Sequence, residues 1–161
     1  MCIRDSNNLT IQHGSLGIGN LSGGTVVVSN SLISSDTGPG LDNGSGVMTV
    51  TNTTIYGNTG AGILNNGTLA VTGSSLVANS QAITNAGAAT VSSSILARSG
   101  GGNCNAPMAD GGYNLSDDGT CGFTATGSAN GATTLVLGSP QNNGGYTQTV
   151  APCLLYTSRC V

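Results

Sequence analysis

A repeat of about 21 residues limits this chain more than any other feature it has. Apolar residues recur at Ile11, Ile33, Ile55, Leu76 and Leu96. A second column runs through Val28, Val50, Val71 and Val91, and a third through Ile18, Leu41, Ile63 and Ile83. Asparagine follows the third column at Asn20, Asn43, Asn65 and Asn85. Four columns thus hold register over four coils, and no segment between them is patterned as a helix. Such a period marks a solenoid, in which each unit buries its apolar face only against its neighbours.

Inside each coil the period falls to two. Val26 and Val28, Met48 and Val50, Leu69 and Val71, and Ala89 and Val91 point one way, while the residues between them, Thr among them, point the other. Asn43-Gly44 and Asn66-Gly67 supply positive φ at a corner. Asn-Gly also serves hairpins, but a meander would not return the same residue types in register at every coil. The expected fold is therefore all-β: a right-handed parallel β-helix of three short strands per coil, with an irregular C-terminal cap. At about 4.8 Å per coil, four and a half coils make a rod on the order of 20 Å long. Stacked Asn20, Asn43, Asn65 and Asn85 are expected to form a ladder, each amide bonding the next. Ala82, Ala88 and Ala89 predict a thinner core in the fourth coil.

Composition agrees with an all-β chain. Lys, Glu and Trp are absent, and Gly, Ser, Thr and Asn stand where surface helices would carry Glu, Lys or Arg. Disorder would need few apolar residues and high net charge, whereas the net charge here is −3 and Val, Ile and Leu recur regularly. Nucleic acid is excluded as a partner, because displacing its counterions needs clustered Lys and Arg. No apolar run approaches the roughly 20 residues that span a bilayer, and no apolar region follows Met1–Ser6 as a signal peptide would. The expectation is a fragment that continues into further coils of the same chain.

Residues 1–6 and 153–161 break the local composition, holding Arg4 and Arg159 of the three arginines and Cys2, Cys153 and Cys160 of the five cysteines. They resemble translated adapter read-through and are expected to be artefactual tails, the alternative being genuine short termini. Coils are expected over 7–100 and a cap or anchor-proximal segment over 101–152. Cys104 and Cys121 remain as a disulfide candidate, worth roughly 3 kcal/mol for a loop of this size. Two free buried thiols are the alternative.

Gly62-Ile63-Leu64-Asn65-Asn66-Gly67-Thr68-Leu69-Ala70-Val71-Thr72 resembles the repeat of bacterial right-handed parallel β-helix proteins, including the polymorphic outer-membrane-protein type. The stretch from Gly112 to Phe123, with Asp117-Asp118-Gly119-Thr120-Cys121, resembles a region near the end of choice-of-anchor Q surface proteins. The stretch from Gln141 to Thr149 resembles the segment that follows it. The resemblance implies an exported, surface-anchored bacterial protein at the cell surface or outside the cell, with a structural or adhesive role and no established catalytic residues.

β-Helices also carry polysaccharide lyases and hydrolases, which need clustered carboxylates with a base or a Ca²⁺ site. Here Arg98 is the sole internal base and lies in a coil without Asp, while Asp36 and Asp42 merely flank a turn. Asp117-Asp118-Gly119 offers oxygen donors for Ca²⁺ but without the spacing of a calcium loop, so a solvated turn is expected. His13 is the only histidine, which excludes His-based metal sites and triads and leaves it as an exposed turn residue. The sequons at Asn52-Thr53-Thr54 and Asn66-Gly67-Thr68 are what an Asn/Thr-rich chain supplies by chance. No catalytic residue, metal ligand or cofactor is therefore assigned. The expected function is a non-catalytic, adhesin-like or structural surface segment whose polar faces meet carbohydrate or a host or cell-surface protein. The alternatives are a non-catalytic part of a β-helix polysaccharide lyase or hydrolase, a carbohydrate-binding protein, and a passive stalk.

Overall fold

The computed structural model describes residues 3–151. Met1, Cys2 and residues 152–161, and with them the whole expected C-terminal tail, lie outside the described residues. Each coil contributes a five-residue strand and then two shorter ones. The first coil holds β1 (Ile3–Asn7), β2 (Thr10–Gln12) and β3 (Ile18–Gly19), and the second β4 (Thr25–Ser29), β5 (Leu32–Ser34) and β6 (Leu41–Asn43). The third holds β7 (Val47–Thr51), β8 (Thr54–Tyr56) and β9 (Ile63–Asn65), and the fourth β10 (Thr68–Thr72), β11 (Ser75–Val77) and β12 (Ile83–Asn85). A fifth adds β13 (Ala88–Ser92) and β14 (Ile95–Ala97), followed by β15 (Ala109–Asp110) and β16 (Leu115–Ser116). Among the described residues there is no helix.

Through β14 each strand pairs in parallel with the one three before it, and β15 and β16 then pair with β13 and β14, so three sheets form the walls: β1-β4-β7-β10-β13-β15, β2-β5-β8-β11-β14-β16, and β3-β6-β9-β12. The chain is a parallel β-solenoid, and its rungs align the apolar columns residue over residue. Val28 pairs with Val50, Val50 with Val71, and Val71 with Val91. Ile11, Ile33, Ile55, Leu76 and Leu96 stack in the second sheet, and Ile18, Leu41, Ile63 and Ile83 in the third. All are buried in one continuous interior except Ile11 and Ile18, which are partly buried against it. Ala82 and Ala89 sit in that interior beside Ile83 and Val91. Burying a Val, Leu or Ile side chain is worth roughly 1.5–3 kcal/mol, and these columns repeat the gain at each coil.

Two corners of every coil are left-handed. Asn30, Asn52, Gly73 and Ser93 precede the second-sheet strands with φ near +50 to +58°, and Ser35, Gly57, Ala78 and Arg98 follow them with φ of 57 to 65°. Non-glycine residues adopt this region at a cost of roughly 1–2 kcal/mol, so the tight cross-section is maintained against local preference. His13 sits at the equivalent first-coil corner, exposed, with φ 61°.

β1 pairs with β4 over Ile3 to Asn7 even though its sequence breaks the composition of the repeat, because a parallel ladder is built from main-chain groups common to every residue. At the other end, register persists past Gly100: Thr90 pairs with Ala109 and Ile95 with Leu115. The stretch expected to be one cap then divides. Residues up to about Ala132 close the end of the interior, with Cys104, Met108, Cys121 and Phe123 joining the core. From Leu135 the chain instead folds back along the outside of the second sheet. There Leu137 and Val150 cover Val77 and Ala97, with Tyr56 and Ile95 packed beside them. Gln141 bridges Thr149 in antiparallel fashion, and the Thr147 hydroxyl reaches the Asn30 carbonyl at 3.2 Å, 117 residues back along the chain. This strap forms because Tyr56, Val77 and Ala97 face outward and would otherwise be left in water.

Candidate functional site

Polar side chains occupy three ladders within the wall. Asn20 Nδ2 donates to Asn43 Oδ1 at 2.9 Å, Asn43 Nδ2 to Asn65 Oδ1 at 2.7 Å, and Asn65 Nδ2 to Asn85 Oδ1 at 2.7 Å. The same amides donate to turn carbonyls, Asn43 to that of Thr68 and Asn65 to those of Gly67 and Ala88. Asn43 and Asn65 are fully buried, so each unmade bond would cost about 1–3 kcal/mol.

A second ladder runs through Ser31, Thr53, Ser74 and Ser94. The Ser31 amide donates to Thr53 Oγ1, the Thr53 amide to Ser74 Oγ and the Ser74 amide to Ser94 Oγ. Each hydroxyl in turn donates to the carbonyl two residues earlier. Asn114 continues the ladder into the cap, accepting from the Ser94 amide at 3.0 Å. The third ladder is Asp36, Asn58 and Asn79. The Gly14 amide donates to Asp36 Oδ1, the Asp36 amide to Asn58 Oδ1 and the Asn58 amide to Asn79 Oδ1. Sequence reasoning missed both, although their spacings of 22, 21 and 20 residues match those of the apolar columns.

The carboxylates are acceptors for the backbone. Asp110 takes the Gly112 amide, Asn114 Nδ2 and the Ser128 hydroxyl on Oδ1, and the Thr124 and Ala125 amides on Oδ2, all within 2.6–2.9 Å. Burial pushes this carboxyl up, and the donated bonds outweigh it, leaving the pKa lowered to about 2. Asp118 also lies below its usual value, burial again opposing bonds from Thr120, the Asn103 amide and Ser116. Asp117 accepts the Arg98 amide and Asn103 Nδ2. The segment read as a solvated turn is a turn at the surface, with Asp117 and Asp118 half-buried and Gly119 and Thr120 exposed, in which both acidic side chains also bond protein donors. Asp36 is buried in the wall, whereas Asp42 alternates with the buried Leu41 and Asn43 along β6. Asp36 Oδ2 and Asp42 Oδ1 are buried without a hydrogen-bond partner among the described residues.

Cys104 and Cys121 form a disulfide across a 17-residue separation, with Cα atoms 4.9 Å apart. Cys121 is fully buried, and the bond ties the start of the cap to its turn. The Arg98 guanidinium donates to the Leu137 carbonyl at 2.9 Å, pinning the strap. Among the described residues no group of three or more His, Cys, Asp or Glu could hold a metal ion, and no helix is long and apolar enough to cross a membrane.

What remains open to solvent over a broad area is the outward face of the first sheet. Its central column is Val27, Thr49, Ala70 and Thr90, flanked by Ser29, Thr51, Thr72 and Ser92. None of these eight residues is buried and none is charged, while Asp5 of β1, exposed beside Val27, puts one carboxylate at the first-coil end of the column. No family, no curated protein and no solved structure matches the chain.

Proposed function

We propose that this chain is a non-catalytic structural or adhesin-like segment of an exported bacterial surface protein of the choice-of-anchor Q and polymorphic outer-membrane-protein type. The observation that carries the reading is the Thr/Ser/Val face of the first sheet, uncharged from β4 to β13 and repeated coil after coil. Such a face offers hydroxyls and methyl groups in rows, each contact weak and the sum set by area. It suits an extended partner, either a carbohydrate chain or a cell-surface protein. The cap disulfide supports an oxidising location. The Asp110, Asp117 and Asp118 carboxylates support a structural role, since each is engaged by protein donors.

The test is solid-phase binding of the protein to bacterial polysaccharides and to host-cell surfaces. The Thr49→Glu/Thr90→Glu variant is expected to lose retention while keeping its melting temperature. Equal retention by the variant would remove the face from the proposal. Robust cleavage of uronate polymers by this chain, with or without Ca²⁺, would replace the reading by a polysaccharide lyase.

A further inference from the structure

Four Asn-Gly dipeptides lie among the described residues: Asn43-Gly44, Asn66-Gly67, Asn130-Gly131 and Asn143-Gly144. Each can undergo the same reaction. The glycine amide nitrogen, on losing its proton to water, attacks the asparagine Cγ, a C–N bond forms, the Cγ–Nδ2 bond breaks and ammonia leaves. Water then opens the resulting cyclic imide on either side, giving aspartate or isoaspartate. Glycine favours the reaction because it carries no side chain to hinder the attack, and asparagine is thermolabile for this reason. No oxidant or co-reactant beyond water enters.

The fold treats the four differently. Asn43 is fully buried, its amide held by Asn65 Oδ1 and the Thr68 carbonyl. The Asn130 amide donates to the Phe123 carbonyl and its oxygen accepts the Phe123 amide, while the Gly131 amide donates to the Asp118 carbonyl. Asn143 Nδ2 donates to the Thr149 carbonyl and hydroxyl, and the Gly144 amide to Asn142 Oδ1. Asn66 stands one step outside the asparagine ladder. Between the paired rungs Asn43/Asn65 and Val47/Thr68, the third coil has three residues and the fourth only Asn66 and Gly67. The Asn66 side chain is exposed, and among the described residues neither it nor the Gly67 amide makes a hydrogen bond. One coil further on, the corresponding Gly87 amide is engaged by the Asn65 carbonyl.

We propose that Asn66 is a self-modification site, at which the folded protein converts an asparagine to aspartate and isoaspartate through an imide with Gly67. Each event places a negative charge on the turn leading into β10, beside a face that is uncharged from β4 to β13. The ladder asparagines are spared because a buried, doubly bonded amide is not presented to its neighbour.

The whole chain is aged in mildly alkaline buffer, then mapped by peptide mass spectrometry, with isoaspartate counted by isoaspartyl methyltransferase labelling. A parallel sample is aged in denaturant. Substituting Gly67 would mislead, since a Cβ there would fall 2.4 Å from the Gly46 carbonyl oxygen. The control is therefore Asn66→Ser, at an exposed side chain. In the folded protein Asn66 is expected to lead the other three sites several-fold, with Asn43 unchanged. In denaturant the four sites converge, and Asn66→Ser loses most of the folded-state label. Modification led by Asn43, Asn130 or Asn143 in the folded protein, or undiminished label in Asn66→Ser, overturns the proposal.

Discussion

At position 36 a carboxylate stands where the next two coils place an amide. Asn58 uses both ends of its side chain, accepting from the Asp36 backbone through Oδ1 and donating from Nδ2 to Asn79 Oδ1 at 2.9 Å. Asp36 accepts from Gly14 through Oδ1, but its Oδ2 is buried with no partner among the described residues, 2.9 Å from where a Gly17 Cβ would stand. A buried polar atom left unpaired costs about 1–3 kcal/mol, more when charged. Asp36→Asn puts a donor at that atom, the side-chain chemistry with which Asn58 bonds Asn79 in the next coil, with no change of shape. It should raise stability by about 1–3 kcal/mol, read as a higher midpoint in chemical denaturation. A lowered midpoint would mean that Asp36 Oδ2 has a partner the ladder geometry does not reveal.

At the scale of elements, one side chain gathers much of the cap's backbone. Asp110 ties Gly112, Asn114, Thr124, Ala125 and Ser128 together from the end of β15. Its carboxyl titrates at about 2 in the fold and near 3.9 in an unfolded chain. A carboxyl with a depressed folded pKa contributes stability that is present above the unfolded value and lost as pH falls through the folded one. The cap should therefore hold from neutrality down to about pH 4 and loosen between about pH 4 and about pH 2, with Asp118 acting in the same direction. Asp110→Asn should melt lower near neutrality and show a flatter profile across that acid window. A variant profile as steep as the parent's would assign the acid sensitivity elsewhere. The apolar strands were legible from the sequence because one residue type at one spacing reports one side of a wall, as at Val28, Val50, Val71 and Val91. Ser31, Thr53, Ser74 and Ser94 keep the same spacing, yet polar residues beside strands read as a solvent face. What turns them inward is the left-handed corner at Asn30, Asn52, Gly73 and Ser93 just before them, and in a chain so rich in Asn and Gly three such residues do not stand out as a corner. The strap was hidden for another reason. Leu135, Leu137 and Val150 belong to no repeat, and their partners Val77 and Ala97 are set only once the coils have stacked.

For the whole molecule, stacking implies that each coil is stabilised mainly by the two beside it. Ile63 lies fully buried in β9 between Leu41 and Ile83 of the adjoining rungs, whereas Ile18 is half-buried in β3, which pairs with β6 alone. Ile63→Ala should then cost about 2–5 kcal/mol, the range for a cavity inside a packed core. Ile18→Ala should cost less, at most about 1.5–3 kcal/mol, the full value of burying such a side chain. Two rungs separate the sites, about 10 Å at the usual strand spacing, and residues that far apart with no shared partner add to within about 0.5 kcal/mol. Leu41, however, is the intervening rung of the same column and pairs with both Ile18 and Ile63. The double variant therefore tests whether packing strain passes through one coil to the next. Additive losses would show that each coil relaxes by itself, as a nearest-neighbour stack requires. A double variant much more or less stable than the sum, or equal single costs at the two sites, would show instead that the interior responds as one cooperative body, and the stack would have to be treated as a single core.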